Sequence, residues 1–195
     1  MIRKKTDSFT LIELLVVMAV IAVLAGLILS VSGYAQKKAA TSKAETEIAA
    51  LSAAMESYKA DNGLYPMASG TTDAVYASKA GSTASADYNP KASVYTDSSK
   101  YLYGQLSGDD LYSATRQVTP GKKGYFEFKP NMLSPSGGTG SVTSLVDPFG
   151  NSYGYSTANA TNSANGNNPT YDLWSTAGTT RITTSGTQAK WIKNW

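Results

Sequence analysis

Cysteine and histidine are both absent from the 195 residues. The first absence excludes a disulfide framework and any thiolate metal site. The second removes the commonest general base and the commonest metal ligand. Charge of one sign is scarce too: seventeen Lys and Arg stand against fourteen Asp and Glu, a formal net charge of +3. That bias is too small to argue for nucleic acid or an acidic substrate as partner. Serines are plentiful, but they have no histidine for a dyad, and no paired acids stand at a recognisable spacing. There is no G-x-x-x-x-G-K-[ST] phosphate loop. The reading is therefore of a protein that is not an enzyme and takes no cofactor or metal.

What the chain does have is a long apolar run. Met1 to Ser8 is short, polar and basic, with Arg3, Lys4 and Lys5. Leu14 to Leu29 then reads LLVVMAVIAVLAGLIL, without charge or proline. With Phe9 to Glu13 and Ser30 to Val31 it exceeds the roughly 20 residues a helix needs to cross a bilayer. It is apolar all round, which a one-sided surface helix is not. Arg3, Lys4 and Lys5 before the run nearly balance Lys37, Lys38 and Lys43 after it, so charge alone sets no topology. Ala22, Gly26 and Ser30 form a row of small residues at spacing four, which lets helices approach closely in apolar surroundings. Ordinary membrane-helix composition would also produce such a row.

Beyond Tyr34 the pattern becomes one-sided. Tyr34, Ala44, Ile48, Leu51, Met55 and Tyr58 fall on one helical stripe, and Lys43, Glu45, Glu47, Glu56 and Lys59 lie mostly off it. This half is expected to dock on the rest of the chain. The helix is expected to stop at Asp61-Asn62-Gly63, because Gly63 can take the left-handed cap and Pro66 blocks continuation.

Glu13 is the anomaly. A charge sunk in lipid costs about 2.5–3.5 kcal/mol on insertion scales. Two readings stand side by side. One is a secretory signal peptide with a cut near Ala35. Against it, the charge interrupts the apolar segment and the helical pattern runs on through the cut. The other is a cut between Ser8 and Phe9, which creates an ammonium one helical turn from Glu13. In a bundle of identical helices, the amine of one copy then meets Glu13 of the next. A paired buried charge loses far less than a lone one, and only one axial stagger pairs both groups.

Phe9-Thr10-Leu11-Ile12-Glu13-Leu14, followed by the apolar run, resembles the N-terminal signature of type IV pilins and pseudopilins. The resemblance covers Phe9 to about Asn62. It implies cleavage between Ser8 and Phe9 by a prepilin peptidase, N-methylation of Phe9, and filament assembly through Glu13 and Thr10, with Ala22, Gly26 and Ser30 in helix packing. It also implies a cytoplasmic leader and a single-pass inner-membrane protein with its C-terminal domain in the periplasm. The family usually has Gly before the cut, where this chain keeps a small residue, Ser8.

After residue 63, Tyr, Gly, Ser, Thr, Ala and Asn dominate. Residues 63–99 read as a long connecting loop. Lys100 to Gly108 is expected to be a short helix. Gly124 to Phe128 alternates as a strand, and Asp147-Pro148-Phe149-Gly150-Asn151 is a turn capped by Asp147. Ser152 to Tyr155, Tyr171 to Ser175 and Lys190 to Trp195 are further strand candidates, and Asn159 to Pro169 is a loop. Arg116, Lys122 and Lys123 form a weak basic cluster read as solvated loop. The expected fold is α+β, a long helix on a small antiparallel sheet, divided as a 1–8 leader, a 9–33 apolar half, a 34–62 amphipathic half, a 63–99 loop and a 100–195 sheet domain.

Asp147 to Tyr153, Tyr171 to Ser175 and Ile192 to Trp195 look like landmarks of the major pseudopilins of type II secretion systems, as does Tyr58 to Pro66. That resemblance implies a structural subunit of a pseudopilus or related pilus-like filament, in the periplasm or at the cell surface. The implied partners are other copies of the chain, minor pseudopilins, an inner-membrane assembly platform, the prepilin peptidase and the membrane, with no nucleic acid. A surface pilin for adhesion, motility or DNA uptake is the alternative, and a Sec-secreted soluble domain a third reading. The subfamily usually holds calcium in its last loop. Here Thr179 and Thr180 occupy one ligand region and Lys190-Trp191 the other, so no such site is expected. Packing of Trp174, Trp191 and Trp195 together is expected to hold the loop instead.

Overall fold

The computed structural model describes residues 10–76, 89–137, 140–179 and 190–195, with backbone alone at 29–31. The chain forms two compact units, Met1–Ala39 and Ala40–Trp195. Helix α1 (Leu11–Asn62) contributes to both. Its end is set by Gly63, whose φ is +81° and whose N–H donates to Lys59 O at 2.7 Å. A left-handed glycine after the last turn satisfies an otherwise unpaired carbonyl at no Cβ cost.

In the second unit, Ala44, Ile48, Leu51 and Met55 of α1 are buried at the predicted spacing of three and four. Tyr34 departs from the predicted stripe. It is 74% exposed and belongs to the first unit, so the buried face begins at Ala44. Glu47 departs the other way. Its side chain is only 12% exposed, accepts a hydrogen bond from Tyr153 Oη at 2.7 Å and faces Lys43 Nζ at 3.6 Å. A half-buried carboxylate is tolerated there because both partners are supplied.

Helix α2 (Ser93–Ser107) begins seven residues before the expected Lys100 and ends, as expected, at Gly108. Its buried face is Tyr95, Ser98, Ser99, Leu102, Tyr103 and Leu106. The two serines allow close approach: Ser98 Oγ donates to Tyr155 O, and Ser99 Oγ accepts from Leu145 N at 3.2 Å. Gly124 to Phe128 is not a strand. The N–H groups of Tyr125 and Phe126 both donate to Leu106 O, at 2.7 and 2.9 Å. The segment thus caps the end of α2, where carbonyls lack helical partners, and Tyr125, Phe126 and Phe128 pack on the core.

The strands are short. A 3₁₀ turn (Pro130–Met132) leads into β1 (Leu133–Ser134), which pairs antiparallel with β2 (Ser144–Leu145). A second antiparallel sheet holds β3 (Gly154–Ser156), β4 (Asp172–Ser175) and β5 (Ile192–Lys193) in that order, with a four-residue helix α3 (Ala158–Thr161) between β3 and β4. The architecture is α+β, with two small antiparallel sheets where one was expected. The main core gathers Leu51, Met55, Leu102, Leu106, Leu145 and Leu173 with Tyr103, Tyr153 and Tyr155. In the β3–β4 register Gly154 faces Trp174. A Cβ on Gly154 would lie 2.1 Å from the indole, so this position admits only glycine.

Candidate functional site

The first turn of α1 carries a reciprocal cap. Glu13 Oε2 accepts from Thr10 N at 2.9 Å and from Thr10 Oγ1 at 2.8 Å, while Thr10 Oγ1 accepts from Glu13 N at 3.3 Å. Thr10-Leu11-Ile12-Glu13 is a capping box, which satisfies helix-start donors that have no partner of their own. Its sequence signature is Thr followed three residues later by Glu ahead of an apolar run. The carboxylate therefore has two hydrogen bonds within its own chain.

Beyond the cap, every large apolar side chain from Leu11 to Ile28 is at least 52% exposed. Among the described residues, α1 is the one helix long and apolar enough to cross a membrane, and none of them covers that stretch. Ala22 and Gly26 lie exposed on it, and a Cβ on Gly26 would meet nothing within 4 Å. Ser8, Phe9, the leader and the side chain of Ser30 lie outside the described residues.

The far end of the second unit is held by carboxylates and aromatics. Asp147 Oδ1 accepts from Phe149 N at 3.0 Å and Asn151 N at 2.9 Å, and Oδ2 accepts from Ser175 Oγ at 2.5 Å. This is the expected turn cap, with a strand tied to it. Burial pushes the Asp147 carboxyl above its ordinary value of 3.8 against the pull of these donors. Asp172 accepts from Asn167 N at 2.7 Å and Asn168 N at 2.8 Å, pinning the loop before β4, and burial raises its carboxyl too. Trp174 stacks on Trp191, with centroids 5.7 Å apart and planes 5° from parallel, and meets Trp195 edge-on at 5.8 Å. Thr180 lies outside the described residues.

Calcium takes six to eight oxygens, typically several from carboxylates. Asp172 is the last carboxylate residue of the chain and its oxygens are engaged by backbone donors. Thr179 and Lys190 offer no replacement charge, so the donor set at this end does not fit calcium. The basic cluster separates: Lys122 pairs with Asp110 at 3.1 Å and Lys123 with Asp61 at 2.5 Å, while Arg116 turns elsewhere.

Residues 3–29 match the family described as prokaryotic N-terminal methylation motif, and residues 32–128 match type II secretion system, protein G. A type II secretion system core protein G of Pseudomonas aeruginosa is 28% identical over 125 residues, covering 64% of this chain and 82% of that one. The core protein G of Vibrio cholerae is 39% identical over 70 residues, 36% of this chain and 45% of its own. That of Aeromonas hydrophila is 34% identical over 73 residues, 37% and 51% respectively. The aligned region thus spans about half the length of the last two. No solved structure matches this chain.

Proposed function

The chain belongs to the type II secretion system protein G family, and on that premise we propose that Glu13 is the contact through which this structural subunit of a pseudopilus assembles. The observation that carries the reading is the Thr10–Glu13 cap at the head of an apolar helix that its own chain leaves exposed. An apolar surface of this extent is stable only in lipid or against other helices. In the free subunit the carboxylate is held by Thr10. After cleavage between Ser8 and Phe9, the methylated Phe9 amine of a neighbouring copy offers a full positive charge in exchange. An ion pair, with both partners charged, is stronger in a low-dielectric helix bundle than the cap it displaces, whose donors are neutral. Glu13 then fixes the axial stagger between copies, and Ala22, Gly26 and Ser30 let the helices close on one another.

The reading places the leader in the cytoplasm, the apolar half of α1 in the inner membrane and Ala40–Trp195 in the periplasm. Processing falls to a prepilin peptidase, and elongation to an inner-membrane assembly platform and minor pseudopilins. Its test is a Glu13→Val substitution with mass analysis of the mature N-terminus. The expected result is a subunit that starts at methylated Phe9, is folded and membrane-bound, yet is missing from pelleted filaments. Normal filaments from the Val variant, or mature protein starting near Gln36, would overturn it. Loss of protein export on deletion distinguishes a pseudopilus from a surface pilus, whose loss removes external fibres instead.

A further inference from the structure

Just past the apolar run, α1 acquires two unlike sides. Tyr34, Lys37 and Lys38 stand at positions i, i+3 and i+4, on one side of the helix, and all three are exposed. The opposite side carries Ser32, Ala35, Gln36 and Ala39, small or neutral, with Gln36 Nε2 donating to Ser32 Oγ at 3.2 Å. Both cations of this stretch therefore share the face of the tyrosine. No Asp or Glu occurs between Glu13 and Glu45, so the helix supplies neither lysine with an acid one turn away. Lys38 forms no ion pair among the described residues. The position along the axis matters as much as the face. As a helix, Leu11 to Val31 rises about 30 Å, the thickness of the hydrocarbon core of a bilayer. Tyr34 then lies about 5 Å beyond that core and the two lysines about 10 Å, which is headgroup depth once their stems lean back toward the lipid.

On the reading that α1 spans the inner membrane, this is the periplasmic side, where lysines close to a span are usually sparse. The geometry points to a headgroup site for an anionic phospholipid, formed by the ammoniums of Lys37 and Lys38 with the Tyr34 ring at the membrane boundary. Two cations on one face match a phosphate that carries net negative charge. A zwitterionic headgroup brings its own cation, which cancels much of that attraction. The tyrosine suits this depth, its ring against the acyl chains and its hydroxyl among the headgroups. The neutral opposite side offers a lipid no charge. The site rests on the membrane reading of α1 and not on the Glu13 contact.

The test puts the full-length protein in phosphatidylcholine vesicles and reads the motionally restricted lipid around it with spin-labelled phosphatidylglycerol or phosphatidylcholine. Arg3, Lys4 and Lys5 would also attract anionic lipid, so every sample carries Arg3→Gln, Lys4→Gln and Lys5→Gln. Phosphatidylglycerol is expected to be enriched at the protein about three-fold over phosphatidylcholine at low salt, and the preference to shrink as salt rises. Adding Lys37→Gln and Lys38→Gln should bring the ratio close to one. Pairing Lys38→Gln with Gln36→Lys keeps the charge but splits it between the two sides, and should cut the preference about two-fold. An unchanged ratio in either variant would overturn the site. A ratio near one before the lysines are touched, with filaments lost once they are replaced, would overturn it in favour of carboxylates on a neighbouring copy. Absence of any restricted lipid would overturn the membrane reading itself, which an altered ratio leaves standing.

Discussion

Residues 11–28 and 44–55 belong to the same helix, yet one stretch exposes large apolar side chains on every face and the other buries a single row of them. In the second unit Ala44, Leu51 and Met55 are completely buried, and Glu47 beside them is paired with Tyr153 and Lys43. In the first unit Leu11 is 83% exposed and Ile28 69%. Helix propensity does not distinguish the stretches, since both are continuous α-helix. The difference lies in what covers them. The period-3.6 stripe is the mark of a surface satisfied by its own chain, and the uniform run is the mark of a surface satisfied from outside it.

Matched substitutions break the comparison most sharply. Leu51→Ala in the buried stripe should cost about 2–5 kcal/mol in denaturant unfolding followed by tryptophan fluorescence, all three tryptophans lying in the second unit. Leu15→Ala in the exposed run should leave that transition within about 0.5 kcal/mol. Leu15→Asp should release the protein from membranes on fractionation and still leave the transition in place. A Leu15→Ala variant that unfolds early would mean that the apolar run is covered by its own chain.

Gly154 tests how tightly the second unit is closed. Gly154→Ala drives a methyl into the Trp174 ring and is expected to cost about 3 kcal/mol. Adding Trp174→Leu should return part of that loss, because the two positions face each other across β3 and β4. Smaller again is Tyr153→Phe. It strips a hydroxyl donor from the half-buried Glu47 and is expected to cost about 1–2 kcal/mol. The Glu47→Gln, Tyr153→Phe pair should then cost less than the two singles summed.

The sequence was most legible where local chemistry decides. Gly63 and Pro66 end α1, Asp147 and Gly150 make the turn, and the Trp174, Trp191 and Trp195 cluster forms as aromatic burial predicts. It failed where a tertiary partner decides. The first half of α2, Ser93 to Ser99, is built of modest helix formers, and Ala92 offers it no side-chain cap. Its helical spacing is visible only once Ser98 and Ser99 count as buried positions. Gly124 to Phe128 alternates like a strand but no strand edge is there to receive it, and the end of α2 takes its N–H groups instead. Glu47 reads as a surface acid until Tyr153, 106 residues away, supplies a donor. At the head of α1 the acid is legible alone as a charge in an apolar run, whereas its bond to Thr10 is legible only when Thr10 and Glu13 are read together as a helix start.

The smallest expected effect concerns pH and sets the buried carboxylates of the second unit apart from ordinary surface acids. Burial raises Asp147, and the donors of Phe149, Asn151 and Ser175 only partly oppose it. A folded-state value above the unfolded one means that the folded chain holds the proton more tightly. The stabilisation is complete below the unfolded value near 3.8 and is lost as pH rises through the higher folded value. Asp172 acts with the same sign. Asp147→Asn removes the ionisation and keeps one oxygen for the Phe149 and Asn151 N–H groups, while the Ser175 hydroxyl can rotate to accept. Its unfolding free energy should therefore fall less than the parent's between pH 4 and neutrality in the same fluorescence titration. Parallel pH profiles for parent and variant would show that Asp147 gains as much from its donors as it loses to burial.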